Sequence, residues 1–223
     1  MQTRIQTTAD GSHTLFVPDI GESCHSMHGA IQESTFVFIE QGLRICLKSS
    51  VRILEIGFGT GLNALLTALE ADRTQTHIYY TTLEKYPLPI QNIRLLNYPK
   101  ILEDSGELFD KIHSAPWEIE VAISPFFVLH KVNADFTTYT LTEMYDVIFF
   151  DAFSHEKQPE MWSEAGFRKI IEHCNPDAVF TTYCAKGSVR RALQKVGFLI
   201  ERLPGPSGKR EILRGIRNHT ITN

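Results

Sequence analysis

Three glycines at alternate positions, Gly57, Gly59 and Gly61, follow directly on the apolar run 51–56 and lead into a helical pattern through Leu62, Leu65, Leu66 and Leu69. A strand that ends in glycines and opens a helix brings main-chain N–H groups up to a ligand. Gly57 and Gly59 can take backbone angles closed to other residues, Gly61 lets the helix pack close to the strand, and the first N–H groups of that helix face an anion. Such a turn takes a nucleotide cofactor, and two features separate it from a dinucleotide site. The third glycine comes one residue earlier than in the G-x-G-x-x-G fingerprint. Glu55, two residues before the first glycine, would repel a pyrophosphate and suits the cationic amino-acid end of S-adenosylmethionine. Phe58 and Asn63 belong to the same turn and are counted with it as cofactor-binding residues. The plainer alternative, a strand-to-helix turn with no ligand, is disfavoured by the strand before it and the helix after it.

Three further carboxylates stand at strand ends. Glu84 closes the next strand about twenty residues on, where an acid accepts both hydroxyls of a ribose. Asp135 closes the third and either accepts from an adenine amino group or caps the turn after it. Asp151 emerges from the apolar strand 146–150, at the edge of an open α/β sheet where ligands bind. A partly buried carboxylate beside an activated methyl group can hold a substrate ammonium, orient its nitrogen and take its proton, which makes Asp151 the candidate catalytic residue. Other chemistries find less support. Cys24, His25 and His28 are too loosely spaced for the usual zinc arrangements, so no metal is expected. Ser154 has no G-x-S-x-G frame, which weighs against a hydrolase.

The elements that must position these residues alternate along the chain. Strands are expected at 51–56, 77–83, 126–133, 146–150, 177–182, 197–203 and 209–216, and helices at 61–72, 87–96, 160–174 and 186–196. That alternation predicts a doubly wound, Rossmann-like α/β sheet, mostly parallel. Pro159 and Pro176 bound the third helix. Pro204, Gly205, Pro206 and Gly208 lie between the last two strands, so the sheet should finish on an antiparallel C-terminal strand. Residues 100–117 are a polar insertion. Residues 1–50 are expected to form an N-terminal flap packed on a main domain of residues 51–223.

The chain has 223 residues, 43% hydrophobic and 22% charged, enough for one well-buried domain. It shows no apolar run of bilayer length and no signal-peptide core, so a soluble, cytoplasmic protein without membrane contact is expected. Its four cysteines, at 24, 46, 174 and 184, are scattered and read as reduced thiols. The net charge is −4, yet residues 184–217 carry nine basic side chains against two acidic ones. A basic segment on an acidic body is either a phosphate footprint or a solvated face. Lys186, Arg190, Lys209 and Arg210 are its candidate nucleic-acid contacts.

Several strings are more specific than a general cofactor site: Asp10-Gly11-Ser12-His13, Ser26-x-His28-Gly29-Ala30-Ile31-Gln32-Glu33-Ser34, Glu55 to Asn63, Asp151-Ala152-Phe153-Ser154, Thr182-Tyr183-Cys184-Ala185 and Gly208-Lys209-Arg210-Glu211. Together they resemble, over nearly the whole chain, the methyltransferase module of the tRNA 5-methylaminomethyl-2-thiouridine biosynthesis proteins. The resemblance implies a class I methyltransferase fold and S-adenosylmethionine-dependent N-methylation of a 5-aminomethyl group on the wobble uridine of tRNA. It places the glycine turn and Glu55 at the methionine end, Glu84 at the ribose, Asp135 at the adenine and Asp151 at the amine. Ser26, His28, Glu33 and Phe153 become candidate substrate-binding residues. Many members carry a flavin-dependent oxidase domain; the chain resembles the standalone form, with no flavin expected. His155 departs from the family, where proline is common, and alters the stiffness of that loop. Two rivals remain: an aminopropyltransferase, which needs an acidic groove, and a catalytically silent cofactor-binding module that docks on RNA.

Overall fold

The computed structural model describes residues 3–103 and 105–218. The chain begins with a small antiparallel sheet of β1 (Arg4–Thr7), β2 (His13–Val17) and β3 (Glu22–Ser23), followed by helix α1 (Ala30–Ser34) and a π-helical continuation, Thr35–Glu40. The strands of the main sheet are β4 (Ser50–Ile56), β5 (His77–Leu83), β6 (Glu120–Ser124), β7 (Phe127–Val132), β8 (Tyr145–Phe150), β9 (Cys174–Thr182), β10 (Phe198–Pro204) and β11 (Glu211–Arg217). The helices between them are α2 (Leu62–Thr74), α3 (Ile90–Ile93), α4 (Tyr98–Ile101), α5 (Gly106–Ser114), α6 (Glu164–Glu172) and α7 (Gly187–Val196).

Eight strands lie in the order β10-β11-β9-β8-β4-β5-β7-β6. The neighbours from β9 to β7 run parallel, whereas β11 lies antiparallel between β9 and β10, the reversed C-terminal strand expected from the proline and glycine turn. Strand β8 is buried at every position because helices cover both faces of the sheet. Successive side chains divide between those faces. Val51, Ile53, Val147 and Phe149 join Leu62, Leu65 and Phe109 on one side. Leu54, Ile56, Ile148 and Phe150 join Phe167, Ile170 and Leu193 on the other. Glu55 is in step with Val51 and Ile53, so it points beneath α2.

Three boundaries differ from expectation, each for a backbone reason. The helix expected over 87–96 shrinks to α3, with Pro89 as its N-cap, since prolines at 87 and 89 restrict the chain before each of them. The helix expected over 160–174 is divided: a 3-10 turn, Pro159–Trp162, stops at extended Ser163, whose hydroxyl then accepts from Gly166 N to cap α6. Pro176 lies within β9, where the pairing with β8 shifts register and no ladder donor is needed there. The 100–117 insertion contains α5, and β6, absent from the expected strands, pairs antiparallel on the outer edge of β7. Among the described residues no helix is long and apolar enough to cross a membrane.

Candidate functional site

The chain leaves β4 for β5 on one side and reaches β8 on the other, so a crevice opens at the carboxyl ends of these strands. It holds a cavity of about 540 Å³. Gly57, Gly59 and Gly61 all have positive φ, at 95°, 49° and 71°. A Cβ on Gly57 would stand 2.5 Å from the main-chain oxygen of Asp151, so glycine lets the ends of β4 and β8 meet. A Cβ on Gly59 would touch nothing within 4 Å, which leaves that stretch of main chain bare toward the cavity. Gly61 is the N-cap of α2 and packs on the His113 and Phe58 rings.

Asp151 and Asn63 line the cavity, and Asn63 Nδ2 donates both to Asp151 Oδ2 (2.8 Å) and to Glu55 Oε1 (3.0 Å). Glu55 also accepts from Thr82 Oγ1 (2.7 Å). Glu55 corrects the sequence expectation: it is wholly buried under α2 and does not line the cavity, so it reaches the crevice only through Asn63. Burial is the largest influence on both acids. It pushes Glu55 up to about 8 against the donors Thr82 and Asn63, and Asp151 up to about 7, with the charge of Glu33 adding and Asn63 and Lys209 opposing. Two carboxyls sharing one amide do not both ionise readily, and burial favours the proton on the deeper Glu55.

Glu84 lines the cavity with Oε2 accepting from Gly59 N (3.1 Å) and Oε1 from Tyr86 N (2.8 Å). Asp135 lines it too, but both its oxygens are engaged. Oδ1 accepts from the Thr137 N–H (2.8 Å) and hydroxyl (2.7 Å), a local capping turn, and Oδ2 pairs with Lys85 Nζ (2.8 Å). Lys85, foremost, holds Asp135 down at about 2. The loop after Asp151 is fastened at each step: Tyr183 OH donates to Ala152 O (2.8 Å), Trp162 Nε1 to Phe153 O (2.8 Å), and Ser154 N to Glu22 Oε2 (3.1 Å). Phe58 and Phe153 complete this wall.

Of the N-terminal candidates, Ser26 and Glu33 line the cavity, and Ser26 N donates to Glu33 Oε1 (3.3 Å). His28 does not; its ring packs against Gly208 on the outside. The basic segment is less cationic in space than in sequence. Lys186 pairs with Glu156, Lys195 with Glu164, Arg202 with Glu211, Lys209 with Glu33 and Arg214 with Glu201. Arg190 and Arg210 have no carboxylate ion pair among the described residues. Neither they nor Lys186 line the cavity.

Sequence reasoning missed Glu22, His25 and Tyr183 as cavity residues. Tyr183 carried a signal, since it directly follows β9 on the ligand edge; Glu22 carried none. Burial drives the Cys24 thiol up to about 12 and His25 down to about 4, so both present neutral groups. Among the described residues no group of three or more His, Cys, Asp or Glu is placed to hold a metal ion.

Residues 118–218 match the family model for S-adenosyl-L-methionine-dependent methyltransferases. The chain is 30% identical, over 91% of its length, to the tRNA 5-methylaminomethyl-2-thiouridine biosynthesis bifunctional protein MnmC of Burkholderia mallei and to that of Burkholderia pseudomallei, spanning 34% of each. It therefore covers about a third of these relatives. Among solved structures, MNMC2 from Aquifex aeolicus superposes with a TM-score of 0.81 at 26% identity, covering 96% of this chain and 69% of that one. Spermidine synthase from Thermotoga maritima shares the fold alone, with a TM-score of 0.57 at 15% identity, covering 100% and 73%. Sheet order, crevice and family match together make this a class I methyltransferase that uses S-adenosylmethionine. Within that class the chain is similar, over nearly its whole length, to MnmC and to MNMC2.

Proposed function

We propose that the chain methylates the nitrogen of a 5-aminomethyl group on the wobble uridine of tRNA. The observation that carries this reading is Asp151: a partly buried carboxylate, fixed by Asn63, at the mouth of the central strands and against the glycine turn. The residues present suit S-adenosylmethionine. The bare main chain at Gly59 and the unpartnered, buried Oδ1 of Asn63 suit an amino-acid end carrying N–H donors. Glu84, already turned to the cavity, would take the ribose, and Asp135 with Phe136 would flank the adenine. When bound, S-adenosylmethionine supplies a methyl group activated by a sulfonium.

The remaining work falls to the protein. Asp151 holds the acceptor nitrogen, aligns its lone pair and receives its proton, so catalysis is mostly positioning. The N-terminal segment serves as the flap over this pocket, with Glu33 and Ser26 on the acceptor side. The wobble base must leave the anticodon stack to reach it. An aminopropyltransferase would need free carboxylates for a second ammonium, whereas here Glu33 at the acceptor end is already paired with Lys209.

Incubating the chain with labelled S-adenosylmethionine and tRNA bearing 5-aminomethyl-uridine should yield labelled 5-methylaminomethyl-uridine on nucleoside mass spectrometry. Absence of label in that nucleoside rejects the reading. Reversing Arg190 and Arg210 to glutamate should weaken tRNA binding and lower the slope of log affinity against log salt by roughly 0.7–0.9 for each phosphate no longer neutralised. Lys186, tied to Glu156, should matter less. An unchanged slope would make the segment a solvated face.

A further inference from the structure

Lys209 reaches the cavity from the turn between β10 and β11. Its Nζ lies 2.5 Å from Glu33 Oε2 and 4.0 Å from the centroid of the Tyr183 ring, and its side chain is only 22% exposed. A lysine that binds phosphate works as a flexible point charge turned to solvent. This one is folded inward onto a carboxylate and an aromatic face, a setting that holds a cation in place.

The titratable and charged groups around it come from every side of the acceptor end. Glu33 arrives on α1, Asp151 after β8, Tyr183 and Cys184 after β9, and Glu22 and His25 from the N-terminal segment. Burial keeps the Tyr183 hydroxyl and the Cys184 thiol protonated and His25 neutral. Glu22 is engaged by Ser154. The charges that act on Asp151 at the acceptor end are therefore Glu33 and Lys209. Glu33 and Lys209 act on Asp151 in opposite senses, the first disfavouring its ionised form and the second favouring it.

An amine attacks a methyl carbon only through a free lone pair. Two carboxylates alone would hold it as an ammonium, whereas a neighbouring cation favours the uncharged form. We propose that Lys209 is a positioning residue of the acceptor pocket, whose ammonium offsets Glu33 and leaves the incoming amine uncharged beside Asp151. This rests on the methyltransferase reading above. The nitrogen lone pair forms the new N–C bond while the electron pair of the broken carbon–sulfur bond goes to sulfur. Asp151 then takes the proton from the secondary ammonium and passes it to solvent.

Two variants of the full chain, Lys209→Met and Lys209→Arg, test the role, with Lys209→Gln as a second neutral variant should the methionine form fold poorly. The first readout needs no substrate: the Asp151 carboxyl is followed by carbon-13 NMR and identified by its loss in Asp151→Asn. Its titration midpoint should rise by about one pH unit in the neutral variants and return to the wild-type position in Lys209→Arg. With aminomethyl-bearing tRNA, the ascending limb of kcat against pH should move upward by a similar amount, with KM changed by less than about twofold. A carboxyl midpoint that stays put in the neutral variants overturns the proposal. So does a several-fold rise in KM with the limb unmoved, which would make Lys209 a phosphate contact. Wild-type protein that leaves this tRNA unmethylated rejects the functional reading instead, and the carboxyl titration still decides the role of Lys209.

Discussion

Asp151→Asn should slow methyl transfer by about a thousandfold while leaving the affinity for S-adenosylmethionine within about threefold, the size of effect expected when a general base is lost. Carboxylate and amide are nearly isosteric, and Asn63 Nδ2, now 2.8 Å from Asp151 Oδ2, can still donate to an oxygen at position 151. The cavity keeps its shape and loses only a charge and a proton acceptor. The pH dependence has a definite sign. Burial, then the charge of Glu33, puts Asp151 at about 7, so the protonated acid predominates below that pH and cannot accept a proton. Wild-type turnover should therefore rise with pH through about 7. The residual activity of the variant should lack that limb. Single-turnover rates and calorimetry separate chemistry from binding, and a variant retaining a tenth of the wild-type rate would remove Asp151 from the reaction.

Glu55 shows how far such a residue can be read from sequence alone. Its place in the strand was legible, and strand periodicity aligns it with Val51 and Ile53, beneath α2. Its acidity next to the glycines pointed instead to the ligand, a chemical clue that hid the geometric one. The structure reconciles them through Asn63, one amide touching both the hidden acid and the one at the cavity wall. β4 and β8 were plain because buried parallel strands are mostly apolar, and Glu84, Asp135 and Asp151 were plain because strand ends carry the ligand edge. The contacts of the first fifty residues were not. Glu22 meets Ser154 across 132 positions and Glu33 meets Lys209 from the far end of the chain, with no local pattern to announce either. The basic segment misled for a related reason. Its partners Glu156 and Glu164 lie outside it, so a count along the chain overstates the charge left free in space.

Gly57 and Gly59, two residues apart in one turn, should fail in opposite ways when substituted. In Gly57→Ala the new Cβ meets the Asp151 main-chain oxygen at 2.5 Å, at a φ of 95° that alanine rarely adopts. Main chain cannot swing aside, so the cost should appear as lost stability, about 2 kcal/mol or more by thermal or denaturant unfolding. Gly59→Leu faces no obstacle within 4 Å, and its φ of 49° lies near the left-handed region, where a non-glycine residue costs about 1–2 kcal/mol. The leucine side chain extends instead into the space assigned to the cofactor. Binding of S-adenosylmethionine should fall by more than about a hundredfold, since overlap with a bulky side chain costs several kcal/mol, each 1.4 kcal/mol being about tenfold. Glu84 would keep its hydrogen bond to the main-chain amide at position 59, so the loss is not one of a displaced carboxylate. Calorimetry on the folded Gly59→Leu protein decides the assignment: near-normal affinity would mean that the cofactor lies elsewhere and that the bare main chain of the turn serves only the fold.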